Sequence, residues 1–234
     1  MKEVDVVVVG AGVMGTSAAR WLARSGSSVV VLEQFRLGHL RGSSHGASRI
    51  FRLSYRDEVY VEMAQEALGL WRTLESDGGE TLLTTTGGLD AGDGIDLNAG
   101  ALEARGAACE LLDGATAARR WPRLRFFGDA SLLWQPDAGV IAAERAVAVQ
   151  ARLAIERGVE VRERWRVEAL APDDGSVVVR RGDETLRAGV CVVTAGAWGR
   201  SLLATAGIDL PVRPTRETVA YFRHGGPMPP TLVE

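Results

Sequence analysis

A glycine-rich turn near the start of the chain has the residue spacing that binds a phosphate group. Its glycines are Gly10, Gly12 and Gly15, in the pattern G-x-G-x-x-G, between an apolar run and a helical pattern. The first glycine permits a tight turn, the second lets backbone N–H groups approach a pyrophosphate, and the third lets the helix pack close to the strand. The helix N-terminus also attracts the phosphate charge, so Val13 and Met14 are expected to contact the same group.

An acidic residue follows the turn at the distance that a dinucleotide requires. Glu33 ends the second apolar run, about 20 residues after the turn, where a carboxylate can accept hydrogen bonds from an adenosine ribose. The same carboxylate would repel a 2′-phosphate, which argues against NADP. Because the glycine turn has this complete strand–helix–strand context, the sequence predicts a dinucleotide site.

The apolar pattern also predicts the elements that must position this turn. Around the turn it predicts a strand, a helix and a second strand, at residues 4–9, 14–24 and 28–32. Farther along, a helix over residues 142–157 and three short β-runs within residues 161–187 precede a buried strand, residues 190–193. A β-meander between a helix and the last parallel strand favours a flavoprotein, because simple nicotinamide dehydrogenases continue with regular βα units.

Composition argues against several classes of protein. The net charge is −3 and the pI is about 5.7, so neither nucleic acid nor a membrane surface is an expected partner. The sequence has no apolar run of about 18 residues, so no membrane-spanning helix is predicted. The two cysteines, Cys109 and Cys191, lack the spacing of a metal site, and no metal is expected. With no signal peptide before the first strand, a soluble cytoplasmic protein is predicted.

Residues 42–52 resemble the monomeric sarcosine oxidase and N-methyltryptophan oxidase group of FAD-dependent amine oxidases. This stretch contains S-H-G-x-x-R-x-x-R, and the resemblance extends over essentially the whole chain, to Pro-Asp-Ala-Gly-Val at residues 136–140 and Gly-Ala-Trp at residues 196–198. It implies an α/β fold, α+β overall. A Rossmann-like FAD-binding domain with a β-meander would be joined to a second, sheet-based substrate domain.

The resemblance implies roles for one histidine and two arginines. His45 and Arg49 would lie against the flavin ring, and Arg52 would pair with the substrate carboxylate. A guanidinium offers two parallel donors to a carboxylate, and a second guanidinium can stabilise the negative charge of a reduced flavin. The alternatives are a surface ion pair of Arg52 with Asp57 or Glu58, and a loop histidine bonded to backbone.

Further cofactor contacts follow from the same resemblance. Thr194, Gly196 and Trp198 match a second FAD contact at a strand end, with an ordinary strand-to-helix turn as the alternative. Val167 matches a position whose backbone meets the adenine, with core packing as the alternative. The remaining residues expected to bind FAD are Gln34, Ser43 and Ser44.

The expected domains each consist of two chain segments. The FAD-binding domain comprises residues 1–81 and 138–205, and the substrate domain comprises residues 82–137 and 206–234. Residues 212–222 alternate like an edge strand. Family members continue past this point, with lysines that assist the reaction with oxygen and bind the substrate, so the substrate domain is expected to be incomplete at the end of this chain.

The resemblance implies an oxidase of a secondary or cyclic amino acid. A hydride equivalent passes from the carbon beside the neutral amine to flavin N5, which leaves an imine, and molecular oxygen reoxidises the flavin to give hydrogen peroxide. One alternative is a flavin dehydrogenase that passes electrons to a quinone or a protein. A nicotinamide dehydrogenase is disfavoured by the meander and the late Gly-Ala-Trp turn, and a non-catalytic FAD-binding fragment is the third alternative.

Overall fold

The described residues of the chain form a mixed α/β structure. The computed structural model describes residues 2–126, 129–220, 223 and 225–234. The helices are α1 (Val13–Arg24), α2 (Glu58–Gly78), α3 (Ile95–Ala104), α4 (Gly114–Arg120), α5 (Ala143–Glu156) and α6 (Gly199–Ala204), with a 3-10 turn, Gly196–Trp198, before α6. The strands are β1 (Lys2–Val9), β2 (Val29–Leu32), β3 (Ser48–Phe51), β4 (Leu83–Thr85), β5 (Gly88–Ala91), β6 (Glu110–Asp113), β7 (Ser131–Gln135), β8 (Gly139–Ala142), β9 (Glu160–Arg162), β10 (Ala169–Asp173), β11 (Ser176–Arg181), β12 (Glu184–Val193) and β13 (Thr231–Val233).

These elements divide into two compact units. The first unit comprises Met1–Ala47 and Ala143–Ala220, and the second comprises Ser48–Ala142 and Tyr221–Glu234. The first boundary follows residue 47, whereas the sequence placed the end of the first FAD-binding segment at residue 81. The assignment of FAD binding and substrate binding to particular chain segments stays a prediction.

The first unit contains a six-stranded sheet in the order β10-β11-β12-β1-β2-β9. Strand β1 pairs in parallel with β2 and β12, and β2 pairs in parallel with β9. Strands β10, β11 and β12 form an antiparallel meander. The predicted α/β fold with a meander is confirmed, except that residues 184–193 form one strand where the sequence suggested two, because β1 pairs with β12 along nearly its whole length.

Strand β1 is buried on both faces, as expected of the centre of a parallel sheet. Val7 and Val9 pack in one cluster with Trp165 and residues of the meander. Val6 and Val8 pack in the other cluster with residues of α1 and β2. Because successive side chains of a strand point to opposite faces, these two clusters cover both sides of the sheet at β1.

The second unit contains two smaller sheets, in the orders β13-β5-β7-β6 and β3-β8-β4. The sequence pattern of residues 82–89 predicts a single strand, and this prediction is wrong, because Gly87 adopts a positive φ of 72° and separates β4 from β5. The polar, glycine-containing stretch at residues 38–48 predicts a loop, but in the structure this loop ends before Ser48. Residues 48–51 form β3 because β8 supplies an antiparallel partner, with Arg49 opposite Ile141.

The alternating segment near the end of the chain does not form the predicted strand. Residues 211–220 adopt neither helix nor strand and are exposed, while Tyr221 and Phe222 lie outside the described residues. An alternating pattern makes a strand only where a neighbouring strand supplies backbone hydrogen bonds. Among the paired strands of the described residues, none is a partner of this segment. No helix of the described chain is long and apolar enough to cross a membrane.

Candidate functional site

The glycine turn is packed so closely that two of its glycines have no room for a side chain. Gly10 adopts a φ of +102°, and a Cβ atom there would lie 2.6 Å from the Thr194 carbonyl oxygen. A Cβ atom at Gly15 would lie 1.8 Å from the Gly10 carbonyl oxygen. Both distances are shorter than real contacts, so β1, α1 and the end of β12 can meet in this arrangement only with glycine at both positions.

Thr194 joins the end of β12 to this turn. Its hydroxyl lies 2.9 Å from the Val9 carbonyl oxygen and 3.0 Å from the Gly10 carbonyl oxygen, and its backbone N–H donates to Val9 at 2.9 Å. Thr194, a residue predicted to contact FAD, therefore also holds the glycine turn in place through its side chain. Its neighbour Trp198 lies in the 3-10 turn with its ring centroid 5.7 Å from that of Phe35.

A hydroxyl from a distant loop caps the first turn of α1. Gly12 is the N-cap residue and has no side chain to accept a hydrogen bond. Ser44 supplies the acceptor, because the Val13 N–H donates to its Oγ at 2.9 Å. A Cβ atom at Gly12 would lie 3.0 Å from that Oγ. The Ser44 hydroxyl retains a proton to donate, so it can assist the helix N-terminus in binding an anion.

Glu33 is buried at the end of β2, where its carboxylate fixes the turn from the other side. Only 3% of the residue is exposed. Its Oε2 accepts from the Ala11 N–H at 2.9 Å, and its Oε1 accepts from the Phe35 N–H at 2.8 Å. His39 Nε2 lies 3.4 Å from Oε1. An ionised carboxylate has about four acceptor positions, so capacity for ribose hydroxyl groups remains.

The loop that carries Ser44 and His45 is held by a residue that the sequence reasoning missed. Glu144, at the start of α5, accepts a hydrogen bond from the Gly46 N–H at 2.7 Å through its Oε1. His45 is exposed, and its Nδ1 contacts the Gly42 carbonyl oxygen. The backbone contact that was considered as an alternative for His45 is thus present, and its role at the flavin stays a prediction.

Replacing Glu144 by alanine is expected to weaken FAD binding about twofold, since the loop loses an exposed hydrogen bond that water partly replaces, worth roughly 0.5–1 kcal/mol, only part of which is transmitted to the cofactor. The Glu144→Gln variant keeps an acceptor oxygen and should bind FAD nearly as the unchanged protein does. Titration of the flavin-free protein with FAD measures both. Glu156→Ala, at the far end of α5, removes an exposed ion pair with Arg152 and serves as the control. Equal affinities of the two alanine variants would contradict this role for Glu144.

A cavity of about 410 Å³ lies within the first unit, in the size range of small-molecule sites. It brings together most of the residues predicted to bind the cofactor. The predicted residues lining it are Gly10, Gly12, Val13, Met14, Glu33, Gln34, Ser43, Ser44, His45, Val167, Thr194, Gly196 and Trp198. Gly15 lies in the first turn of α1, where it packs against the backbone of Gly10 in the glycine turn. His39, Glu144 and Trp165 also line the cavity, and no sequence pattern marked them.

Arg49 and Arg52 belong to the second unit. Arg49 is exposed in β3, where its Nη1 donates to the Ser48 carbonyl oxygen at 2.6 Å. Arg52 is half-buried, and its guanidinium carbon lies 5.0 Å from the centroid of the Tyr55 ring. Asp57, the ion-pair partner considered for Arg52, has another role as the N-cap of α2 and accepts from the Val59 N–H at 2.9 Å.

Arg52 has a different acidic neighbour, Asp90. Burial raises the pKa of Asp90 above its usual range, while hydrogen bonds from Ser54 and Gln135 and the charge of Arg52 oppose that rise. Gln135 also accepts from the backbone N–H groups of Leu53 at 2.7 Å and Ser54 at 3.1 Å. This buried network holds the backbone directly after Arg52, so the guanidinium extends from a fixed base.

The donors and acceptors of the first unit fit the parts of FAD. The α1 N-terminus and the side-chain-free surface at Gly12 suit a pyrophosphate, and the buried carboxylate of Glu33 suits a ribose. Trp165 contributes a buried indole nitrogen, Nε1, that has no hydrogen-bond partner within the described residues. Among those residues, no group of three or more His, Cys, Asp or Glu side chains could hold a metal ion.

Comparison with known proteins identifies the family. The model of the DAO family, described as FAD dependent oxidoreductase, matches residues 5–232. Monomeric sarcosine oxidase from a Bacillus species is 32% identical over 93% of this chain and 57% of its own length. Monomeric sarcosine oxidase from Streptomyces avermitilis is 35% identical over 97% of this chain and 60% of its own. These relatives confirm the resemblance inferred from residues 42–52.

A solved structure supports the same assignment. NikD, an unusual amino acid oxidase essential for nikkomycin biosynthesis, superposes with a TM-score of 0.78 at 32% identity, over 87% of this chain and 54% of that chain. The chain thus spans a little over half the length of the relatives that it matches. FAD, the cofactor predicted from the sequence, is the one that the family uses. This chain belongs to the DAO family of FAD dependent oxidoreductases.

Proposed function

We propose that this chain supplies the FAD site and part of the substrate site of an enzyme that oxidises a secondary or cyclic amino acid, with molecular oxygen as the electron acceptor. The observation that carries the proposal is the cavity of the first unit, where the glycine turn, Glu33, the Ser43–His45 loop and the Gly-Ala-Trp turn line one space. The related proteins named sarcosine oxidase and amino acid oxidase support the choice of substrate class.

Each part of the cavity would hold one part of the cofactor. The N–H groups at the start of α1, with the Ser44 hydroxyl, would bind the pyrophosphate, and Glu33 would accept from the ribose. His45, which lines the cavity, and Arg49, which does not, are proposed to contact the flavin ring, where Arg49 would stabilise the negative charge of the reduced flavin. When bound, FAD would supply the two-electron acceptor for oxidation of the carbon beside the substrate nitrogen, and oxygen would receive these electrons and leave as hydrogen peroxide.

Arg52 would bind the substrate carboxylate. A guanidinium makes two parallel hydrogen bonds with a carboxylate, which sets the orientation of the substrate as well as its affinity. The network of Gln135 and Asp90 fixes the backbone at Leu53 and Ser54, and this restricts the positions that the guanidinium can reach. A carboxylate-bearing amine is therefore the class of substrate that these residues suit.

We expect Arg52→Lys to raise KM for the amino acid about 10- to 100-fold, with a smaller effect on kcat, because an ammonium cannot reproduce the bidentate contact. Steady-state kinetics with saturating FAD measures both constants. Arg56→Lys is the matched control, since Arg56 is exposed and donates to the Asp93 carbonyl oxygen at 3.2 Å. An unchanged KM in the Arg52 variant would refute the assignment of the carboxylate to this residue.

The proposed activity is tested by adding N-methyl and cyclic amino acids to the FAD-loaded protein without oxygen. Loss of the oxidised-flavin absorption with these amines, and peroxide formation when air is admitted, is the expected result. If a dye acceptor restores the oxidised-flavin absorption but air does not, the result would identify a dehydrogenase. No bleaching by any amine would refute amino-acid oxidation.

The cytoplasmic location stays a prediction.

A further inference from the structure

Trp165 is a buried side chain with a polar N–H group, and it lies in the wall of the cavity. The binding mode proposed above gives it no role. Only 4% of the residue is exposed, and its indole lies in the core cluster on one face of the sheet. Its Nε1–H has no hydrogen-bond acceptor among the described residues. Tryptophan N–H groups usually have a partner when they are buried, because an unsatisfied donor is costly in a dry environment.

The position of Trp165 in the cavity indicates which half of the cofactor it faces. Its backbone N–H donates to the Glu33 carbonyl oxygen at 2.8 Å, so the two residues are adjacent at the end of β2. Val167, two residues on, also lines the cavity. The ribose of the adenosine belongs at Glu33, and the pyrophosphate extends from there toward the glycine turn. Trp165 therefore lies at the adenosine end of the site.

We propose that the Trp165 Nε1–H donates a hydrogen bond to an acceptor of the adenosine half of FAD. The inference rests on the FAD site proposed above. The acceptors in question are the ring nitrogens of adenine and the oxygens of its ribose. Packing alone does not call for the N–H, because a phenylalanine would fill much of the same apolar cluster. The guanidinium carbon of Arg181, 5.7 Å from the indole centroid, contacts the face of the ring rather than its N–H.

The test compares Trp165→Phe with the unchanged protein for three ligands: FAD, ADP and FMN. Removing one buried neutral hydrogen bond is expected to weaken FAD and ADP about three- to tenfold and to leave FMN, which lacks the adenosine, unaffected. Trp21→Phe is the matched control, because Trp21 is 40% exposed on α1 and does not line the cavity. Circular dichroism and thermal unfolding check that both flavin-free variants are folded.

A second measurement needs no variant and covers the case in which Trp165→Phe does not fold. In protein labelled at the tryptophan indole nitrogens, the Trp165 Nε1–H resonance should move downfield on addition of ADP and stay in place with FMN. The inference is overturned if this resonance does not respond to ADP, or if the variant weakens all three ligands equally or none of them. If the unchanged protein binds neither FAD nor ADP, the proposed cofactor site itself fails.

Discussion

Gly15→Ala is expected to abolish FAD binding and to destabilise the first unit by about 1–3 kcal/mol, the usual effect of overpacking a closely packed region. The added Cβ would lie 1.8 Å from the Gly10 carbonyl oxygen and 2.7 Å from the Thr194 hydroxyl oxygen. Backbone atoms cannot be displaced as easily as the end of a flexible side chain, so α1 must move away from β1. That movement would carry the N–H groups at the start of α1 out of the position in which they are proposed to bind the pyrophosphate.

A glycine elsewhere in a helix separates this effect from the general consequences of adding a methyl group. Gly69 lies within α2 and is exposed, and a Cβ atom there would meet nothing within 4 Å. Gly69→Ala should therefore stabilise the protein slightly, by about 0.5–1 kcal/mol, and leave FAD affinity unchanged. Thermal unfolding and titration with FAD measure the two quantities. Wild-type affinity in Gly15→Ala would contradict the close packing of the turn.

The second large effect is expected for Glu33→Ala. Its carboxylate accepts hydrogen bonds from the Ala11 and Phe35 backbone N–H groups inside the protein. Removing it leaves the buried Ala11 N–H unsatisfied, at about 1–3 kcal/mol, and the partly buried Phe35 N–H unsatisfied at a smaller cost, and it also removes the proposed acceptor for the ribose. We expect a loss of roughly 2–5 kcal/mol in the free energy of unfolding and a decrease in FAD affinity of more than tenfold.

Glu163 provides the comparison for Glu33. Its Oε1 also accepts from a backbone N–H, that of Leu37 at 2.7 Å, but the side chain is exposed. Water can replace this carboxylate, so Glu163→Ala should change stability by less than about 1 kcal/mol and FAD affinity hardly at all. Similar losses of stability and FAD affinity in both variants would contradict the effect attributed to burial of the Glu33 carboxylate.

The parts of the site that depend on local spacing were predictable from the sequence. The glycine turn, the acidic residue after β2 and the meander each follow from residues close together in the chain, and the structure contains the corresponding elements. The roles given to these residues in binding FAD stay predictions. These local patterns predict the arrangement of strand, turn and helix around the proposed phosphate site.

The parts that depend on contacts between distant segments were not predictable. Glu144 accepts a hydrogen bond from Gly46, 98 residues earlier in the chain, and no sequence pattern predicts this contact. Trp165 read as one apolar residue of a β-run, and only the fold places it in the cavity wall. Residues 212–220 alternate as a strand does, yet a strand also needs a neighbour, and sequence alternation alone does not supply one.

The measurement that tests the central claim most directly is equilibrium binding of FAD, FMN, NAD and NADP to the flavin-free protein. The arrangement of Glu33, the glycine turn and the Ser44 loop predicts one FAD per chain, bound more tightly than FMN because the adenosine adds contacts. It also predicts weak binding of NADP, whose 2′-phosphate would meet the buried carboxylate of Glu33. Tighter binding of NAD or NADP than of FAD, or no binding of FAD, would contradict the assignment of this cavity as the FAD site.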